Sequence, residues 1–419
     1  MTQIATVPLG EIADLQAGVG FPPDLQGRPS GDYPLAKVGD ISRLGRTGAS
    51  VLNTADHFVD EADLARLKAK PIPAGSVLFA KIGEAIRQNH RVIAGCELLV
   101  DNNAMAAIPT ERVESRYLFH FLRTVDFYVL ASATTVPALR KSDLQRLPVP
   151  LPPLPEQRRI AEILDKADAL RATRRAALAQ LDILTQSIFL DMFGDPTTNP
   201  KGWPATTLGD ALIAIRNGAN AEQREEPGGW PITRIETISD GTINPERVRW
   251  IEPDESLIEN FQLEPGDILF SHINSVEHIG KTALYSGTPT PLIHGINLLR
   301  LRPNVEFVDP VWLLHLLKHD FVRTHFRTRC KRAVNQASLN QPDIKSVRTF
   351  LPPLSLQHAF ARRVAALQSL ECAHRASLAA QDSLFASLQQ RAFRGSCSHA
   401  RRVHRRVVRD LARDLDAPD

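Results

Sequence analysis

Length, composition and charge limit the kind of protein that this sequence encodes. The chain has 419 residues, of which 43% are hydrophobic, so we expect two or three domains with sizeable cores and exclude wholesale disorder. We find no basic start followed by an apolar run, no apolar stretch near the roughly 18 residues of a membrane span, and no CxxC pair among the four cysteines. These features favour a cytoplasmic protein without structural zinc or disulfides.

The formal net charge of +3 is confined to the end of the chain. From Arg394 onward seven arginines face four aspartates, which leaves 43 basic and 43 acidic residues in the first 393. A uniform basic field is therefore excluded, and any affinity for a polyanion must come from local patches.

The first part of the chain has the pattern of a mixed α/β domain. Short apolar runs alternate with Gly, Pro and Asp, as in strands bounded by turns, and residues 75–82 form the clearest run. Residues 115–130 have a helical pattern. We expect one globular domain over residues 1–153.

A long helix is predicted next. The Leu-Pro-Pro-Leu segment at 151–154 stops the preceding element and can begin a helix, and residues 156–193 contain neither Pro nor Gly before Gly194. Apolar residues recur there at the three-and-four spacing of a coiled-coil seam. A helix of ~38 residues is about 57 Å long, more than a small domain needs for its own core, so it requires a partner.

The same plan then repeats at an offset of about 190 to 200 residues. The string PAGSVLF at 73–79 matches EPGDILF at 264–270, and SDLQRLPVPLPPL at 142–154 matches PDIKSVRTFLPPL at 342–354. Several such matches in one order indicate an internal repeat. We therefore predict two tandem mixed α/β domains, two long helices and a flexible basic tail, divided as 1–153, 154–194, 195–353, 354–395 and 396–419.

The two long helices offer each other the missing partner. Each seam is broken near its middle by a polar residue, at Arg174 and at His374, which lie 200 residues apart. In an antiparallel pair these interruptions fall close together, and a polar residue at a seam position can fix the register. We expect an antiparallel coiled coil with a pseudo-two-fold repeat. The alternative, in which the helices pack on unrelated surfaces, stays open.

The layout resembles the specificity subunit of Type I restriction–modification enzymes. The resemblance extends from Leu9 to Gly395 and is strongest in LPPLPEQRRI at 151–160 and SLQQRAFRG at 387–395. It implies two target-recognition domains, each reading one half of a bipartite, asymmetric sequence in double-stranded DNA. The helices would set the spacer between the half-sites, because their length is comparable to one or two turns of DNA.

The resemblance also implies the partners. Two copies of a DNA-adenine methyltransferase subunit would dock on the helices, and motor–nuclease restriction subunits would complete the complex. The chain itself would be non-catalytic, and S-adenosylmethionine, ATP and Mg would belong to the partners. The start of the first helix, with Glu156, Gln157, Arg158 and Arg159, is the expected docking segment. The second copy departs from the pattern, since Ser355 and Leu356 replace Pro155 and Glu156.

Candidate DNA contacts are polar residues that follow the apolar strands, because Arg, Lys, Asn and Gln can distinguish bases in the major groove or hold phosphates. Lys37 and Arg234 occupy equivalent positions in the repeat and could serve either purpose. A solvated loop without DNA contact is the alternative for each residue. The other candidates are Lys81, Arg87, Gln88, Asn89, His90 and Arg91 in the first domain, and His272, Asn274, His278 and Lys281 in the second.

We find no catalytic constellation. The segment 280–282 lacks the first glycine of a phosphate-binding loop, and His315 and His319 lack the glutamate of a zinc-protease motif. Asp343 and Lys345 lie in a segment that we predict to be strand-like. Two alternatives to the DNA-recognition reading stay open: a partner-binding scaffold without its own DNA targeting, and a stand-alone DNA-processing enzyme.

Overall fold

The computed structural model describes residues 5–132, 136–333 and 336–393, and it is a mixed α/β chain. It divides into two compact units, Met1–Ala177 with His374–Asp419, and Leu178–Ala373. The predicted C-terminal tail, with Gly395, lies outside the described residues.

In the part of the first unit that the structure describes there are ten strands and, before the long helices, five shorter α-helices. The strands are β1 (Thr6–Pro8), β2 (Ala13–Ala17), β3 (Tyr33–Ala36), β4 (Val51–Leu52), β5 (Phe58–Val59), β6 (Val77–Ala80), β7 (Arg91–Ala94), β8 (Leu99–Val100), β9 (Ala104–Pro109) and β10 (Pro148–Pro150). The helices are α1 (Val38–Thr47), α2 (Glu61–Leu67), α3 (Ser115–Thr124), α4 (Phe127–Leu130) and α5 (Lys141–Gln145). The sheets have the strand orders β2-β9-β6-β7-β4, β5-β3-β8 and β1-β10.

A central strand, β6, shows how the first unit builds its core. All four of its residues are buried, and successive side chains point to opposite faces of the sheet. Phe79 packs in the cluster that contains α3 and α4, with its ring 5.0 Å from that of Phe127, whereas Leu78 packs in a second cluster with Ile41 of α1. Helices therefore cover both faces of this sheet.

The second unit repeats this arrangement. Its strands are β11 (Ala205–Thr207), β12 (Leu212–Asn217), β13 (Trp230–Thr233), β14 (Val248–Ile251), β15 (Ile268–Phe270), β16 (Ile273–Asn274), β17 (Thr282–Leu284), β18 (Leu299–Pro303), β19 (Lys331–Ala333), β20 (Gln336–Ser338) and β21 (Arg348–Phe350). The strand orders are β12-β18-β15-β17, β16-β20-β19, β13-β14 and β11-β21. Phe270 of β15 packs on Phe326 with ring centroids 5.0 Å apart, as Phe79 packs on Phe127 in the first unit.

A long helix begins at the end of each Leu-Pro-Pro-Leu segment. In the second half the helices are α7 (Glu255–Phe261), α8 (Pro310–Lys318), α9 (Asp320–Arg329), α10 (Gln341–Lys345) and α11 (Leu354–Ala392), and the first long helix is α6 (Leu154–Phe193). Gly194 has a φ of +81°, which only glycine adopts readily, so α6 ends there.

Two predicted elements differ from the observed ones, because helix caps begin new turns within them. The helix predicted over 115–130 is divided, because the side chain of Asp126 accepts a hydrogen bond from Tyr128 N and begins a new turn. The segment with Asp343 and Lys345 is not strand-like: Asn340 caps the one-turn helix α10, and the strand starts only at Arg348.

Helix α6 is long and apolar enough to cross a bilayer, by length and composition alone. The sequence did not predict this, because it contains no uninterrupted apolar run of that length. Only 18% of its most apolar window is buried, although Phe189 and Phe193 near its end lie in the core of the second unit. Ile183 and Leu184, in the same helix, are exposed, so part of its apolar surface is left uncovered by the described residues.

Candidate nucleic-acid interface

Lys37 lies where strand β3 meets helix α1. Its backbone N donates to the carboxylate of Asp40 at 2.8 Å, which caps the helix and fixes the residue. Its Nζ donates to Oε1 of Gln26 at 2.9 Å and lies 5.2 Å from the centre of the Phe21 ring. The first unit therefore presents a half-exposed ammonium group that is paired with an amide.

Arg234 occupies the same position in the second unit. Its backbone N donates to Thr237 Oγ1 at 2.8 Å, and its guanidinium donates to Oε1 of Gln223 at 3.0 Å and lies 3.4 Å from Glu236. Gln26 and Gln223 were not predicted as site residues. The signal in the sequence is that each precedes its cation by 11 residues. We call these two pairs the cation–amide pairs.

Lys81 and His272 are also equivalent, since each follows the buried strand at the centre of its unit. Lys81 O accepts from Leu139 N at 2.9 Å, and His272 O accepts from Leu339 N at 2.9 Å. Burial lowers the pKa of His272, so its imidazole is neutral at neutral pH and can donate or accept a hydrogen bond without charge.

Lys81 lies near the first cation–amide pair. Its backbone N donates to Asn103 O at 2.8 Å, and Asn103 N donates to Asp101 Oδ1 at 3.2 Å. Burial raises the pKa of Asp101, although the nearby charge of Lys37 opposes that rise. The turn at 101–103 thus connects two of the predicted contact residues.

Arg91 was predicted to contact DNA, and the structure corrects this. Only 4% of the residue is exposed, and its guanidinium lies 3.7 Å from the centre of the Phe127 ring. It donates to Asn89 Oδ1 at 2.7 Å and to His90 O at 2.9 Å. Burial lowers the pKa of Arg91 to about 9. The side chain joins β7 to α4 and is not available to a base.

The prediction for Asn89 is corrected for the same reason. Its amide donates to Val125 O at 3.1 Å and accepts from Phe127 N at 3.2 Å, besides accepting from Arg91. These bonds attach the turn after β6 to the start of α4. Sequence could not show this, because Val125 and Phe127 are 36 and 38 residues away from Asn89.

Arg87, Gln88 and His90 complete the first turn. Arg87 is exposed but stacks on Tyr128, with its guanidinium carbon 4.0 Å from the ring centre and Nη2 donating to the hydroxyl at 2.6 Å. Gln88 is exposed. His90 is half-buried, and burial followed by the charge of Arg46 lowers its pKa. Arg87 and Gln88 stay candidate contacts.

Among the remaining candidates of the second unit, His278 alone has a side chain that is exposed and forms no hydrogen bond or ion pair with the described residues. Asn274 donates to Ser271 Oγ at 3.1 Å and accepts from Ser275 N at 2.9 Å. Lys281 Nζ donates to Ser239 O at 2.9 Å. Lys281 thereby ties the strand pair to the turn after Arg234 rather than extending into solvent.

Gln157 was predicted to bind a partner subunit, and its burial overturns that prediction. It is 1% exposed, accepts from Glu114 N at 2.8 Å, and donates to Arg112 O at 3.1 Å and Pro152 O at 2.8 Å. The side chain fixes the start of α6 against the loop before α3.

Gln357 makes the same three bonds in the second unit, to Asp309 N, Phe307 O and Pro352 O. The repeat therefore retains glutamine at this position for folding. Three of the predicted docking residues remain at the surface at the start of α6. Arg158 is exposed, and Glu156 and Arg159 form an ion pair at 2.8 Å.

The two long helices contact each other within each unit. In the first unit Arg171 binds Asp382 at 2.6 Å, and Arg175 lies 3.3 Å from the same carboxylate. In the second unit the Phe189 and Phe360 rings lie 5.6 Å apart. Contact between the two helices was predicted, but the residues that form these contacts were not.

Arg174 and His374, the residues predicted to set the register, are both half-buried. Within the described part of the chain, no hydrogen bond or ion pair joins the two residues, and His374 Nδ1 is buried without an acceptor or donor. Their role in setting the register stays a prediction.

Within residues 5–132, 136–333 and 336–393, no cluster of three or more His, Cys, Asp or Glu side chains could hold a metal ion. His315 packs against the Phe360 ring at 5.3 Å, and burial lowers its pKa to about 4.

Known proteins share this repeated architecture. The model of the family described as Type I restriction modification DNA specificity domain matches residues 1–181 and 200–377, one match for each copy of the repeat. The predicted internal repeat is thereby confirmed. A crystal structure of the S subunit of a Type I restriction–modification system from M. genitalium superposes with a TM-score of 0.56 and 14% identity over 93% of this chain and 96% of that one.

Individual relatives match over parts of the chain. The MjaX specificity subunit of Methanocaldococcus jannaschii is 48% identical over 164 residues, 39% of this chain and 39% of its own length. The type I restriction enzyme EcoKI specificity subunit of Escherichia coli is 24% identical over 309 residues, 68% of this chain and 66% of its own length. The matched part therefore spans about two fifths and two thirds of these relatives.

Proposed function

The chain belongs to the type I restriction modification DNA specificity family, and on that premise we propose that it is the non-catalytic DNA-recognition subunit of such a complex. Each α/β domain reads one half of a bipartite, asymmetric DNA sequence. The observation that carries the proposal is the duplicated cation–amide pair, Lys37 with Gln26 and Arg234 with Gln223.

The chemistry of these pairs suits base recognition. A glutamine amide can donate and accept at adenine, and Arg or Lys can donate to the O6 and N7 acceptors of guanine. Capping by Asp40 and Thr237 fixes both cations at the start of a helical turn, so their side chains extend from a rigid element. Arg presents a planar fork of donors and Lys a point charge, so the two pairs differ in donor geometry, and the half-sites need not be palindromic.

The long helices serve as spacer and docking surface. Arg171 of α6 contacts Asp382 of α11 in one unit, and Phe189 of α6 contacts Phe360 of α11 in the other. The later residue of α6 thus contacts the earlier residue of α11, which supports an antiparallel pair. At 40 and 39 residues, the helices are about 60 Å long.

Partner subunits would cover the exposed apolar side chains of these helices. Leu170 is 61%, Ile183 64% and Leu384 57% exposed. Two methyltransferase subunits are the proposed occupants, with Arg158 and the Glu156–Arg159 pair beside them. Methyl transfer and ATP-dependent cleavage, with S-adenosylmethionine, ATP and Mg, are assigned to the methyltransferase and restriction subunits, in the cytoplasm.

A comparison of methylation across the genome, with and without the gene, tests the proposal. We expect one bipartite sequence to lose its adenine methylation in the deletion strain and to regain it on complementation. Unchanged methylation would favour a scaffold without DNA targeting. As a matched control, the purified chain alone should show no turnover with DNA, Mg, ATP and S-adenosylmethionine. Turnover by the chain alone would indicate a stand-alone enzyme.

A further inference from the structure

A run of basic side chains in the second unit has no part in the site described above. It comprises helix α9 and strand β19, which follow one another without a loop. Within the described residues none of its five basic side chains forms an ion pair. We call this set the basic strip, and its members are Arg323, Arg327, Arg329, Lys331 and Arg332.

The fold holds the basic strip at the surface. Helix α9 buries Val322 and Phe326, which places Arg323 and Arg327, four residues apart, on one flank of the helix. The Nε of Arg327 is buried and has no acceptor among the described residues. This one donor of the strip is thus left unsatisfied by the described residues.

Strand β19 joins the basic strip to the predicted contact residues. It is an edge strand of the sheet β16-β20-β19, and β16, which carries Asn274, begins directly after His272. Lys331 pairs with Ser338 of β20, whose other neighbour is Ile273. Lys331 and Arg332 are exposed on this edge. Lys331 and Arg332 therefore lie in the same small sheet as Asn274, a candidate base contact, and His272 directly precedes that sheet.

Few acidic groups oppose the charge of the strip. Residues 323–348 contain seven Lys and Arg but only one acid, Asp343, and Asp320 begins the helix. The equivalent residues 123–148 of the first domain contain four basic and two acidic residues. Arg123 is moreover bound by Asp168. The positive field is a property of the second domain, and an external anion bound there would offset the repulsion within it.

We propose that the basic strip binds the DNA phosphate backbone beside the half-site of the second domain, so that this domain supplies most of the salt-dependent affinity. The inference rests on the proposed function, because it assumes that the chain binds duplex DNA. A phosphodiester backbone fits the strip because its regularly spaced charges match cations that extend along a helix and an adjoining strand edge. Such contacts position a protein on DNA without reading its bases.

The salt dependence of DNA binding by the full chain tests this inference. The probe is a mixed-sequence duplex of ~40 base pairs, titrated by fluorescence anisotropy between ~50 and ~200 mM KCl. The variant R329Q/K331Q/R332Q removes three exposed charges. We expect the slope of log Kd against log[KCl] to fall by about 0.9 for each lost phosphate contact, and thus by two to three in total. The DNA sequence methylated in cells should stay the same.

A matched control, K68Q/K70Q/K166Q, removes from the first unit three exposed charges that form no ion pair with any described residue. Its slope should equal that of the wild type, and the charge-preserving variant R329K/R332K should do so too. If R329Q/K331Q/R332Q has the slope of the control, or loses only a protein partner on co-purification, the inference is wrong. If the wild type binds no duplex, the proposed function fails, and the inference fails with it.

Discussion

Replacement of Gln157 by leucine separates a folding role from a docking role. The buried amide makes three hydrogen bonds, and leucine of similar size would leave Glu114 N, Arg112 O and Pro152 O without this partner. Each such loss costs about 1 kcal/mol, so we expect the free energy of unfolding to fall by about 3 kcal/mol. Gln357 makes three equivalent bonds, so Gln357→Leu should cost a similar amount.

Urea denaturation of the full chain, followed by circular dichroism, measures this effect, and tryptophan fluorescence reports on Gln357→Leu alone because the four tryptophans lie between residues 203 and 312, in the second unit. Gln88→Leu is the control, because Gln88 is exposed and should change the free energy of unfolding by less than about 0.5 kcal/mol. If Gln157→Leu unfolds like the wild type yet fails to bind methyltransferase subunits, the glutamine is a docking residue after all and the reasoning from burial is refuted.

Three further predictions follow from the described contacts. Arg91→Met should lower the free energy of unfolding by about 2 kcal/mol, through loss of the stack on Phe127, and leave the methylated sequence unchanged; a changed sequence would contradict its structural role. Burial lowers the pKa of His315 to about 4, so below pH 6.5 the unfolded chain binds a proton that the folded chain does not, and stability falls between pH 6.5 and about 4. His315→Leu should reduce that fall by up to about 3 kcal/mol in denaturation curves at pH 7 and pH 4.5, whereas equal pH dependence would refute the assignment. Insertion of four residues into both α6 and α11 should lengthen the unread spacer in methylation maps and preserve both half-sites, and altered half-sites would count against the spacer role.

The repeat and the long helices could be predicted because they depend on local signals. Three-and-four spacing without Pro or Gly predicts a helix from near residue 156, and the observed α6 begins at Leu154. Matching strings such as those at 73–79 and 264–270 predict equivalent strands, and β6 and β15 are equivalent.

The roles of single polar residues could not be predicted in the same way. Arg91 and Gln157 look like surface residues in sequence, but long-range packing buries both. An arginine stacked between strand and helix, or a glutamine that satisfies three backbone groups, is recognisable only once the distant partners are in place. Nothing in the composition marks these positions.

Other residues take part in the candidate site or in helix contacts but were not predicted from the sequence. Gln26 and Gln223 were overlooked because each lies 11 residues before its cation, outside any local motif. The basic strip was overlooked because the balanced charge of the first 393 residues conceals a local excess. Asp382 was missed because its partner Arg171 lies 211 residues away.

The division of reading between the two domains is tested most directly by methylation mapping of the single variant Gln223→Ala. With the second cation–amide pair disrupted, methylation should spread to sequences that differ in one half-site, while the other half-site and the spacer stay as in the wild type. Relaxation of both half-sites together, or an unaltered methylation map, would contradict the account.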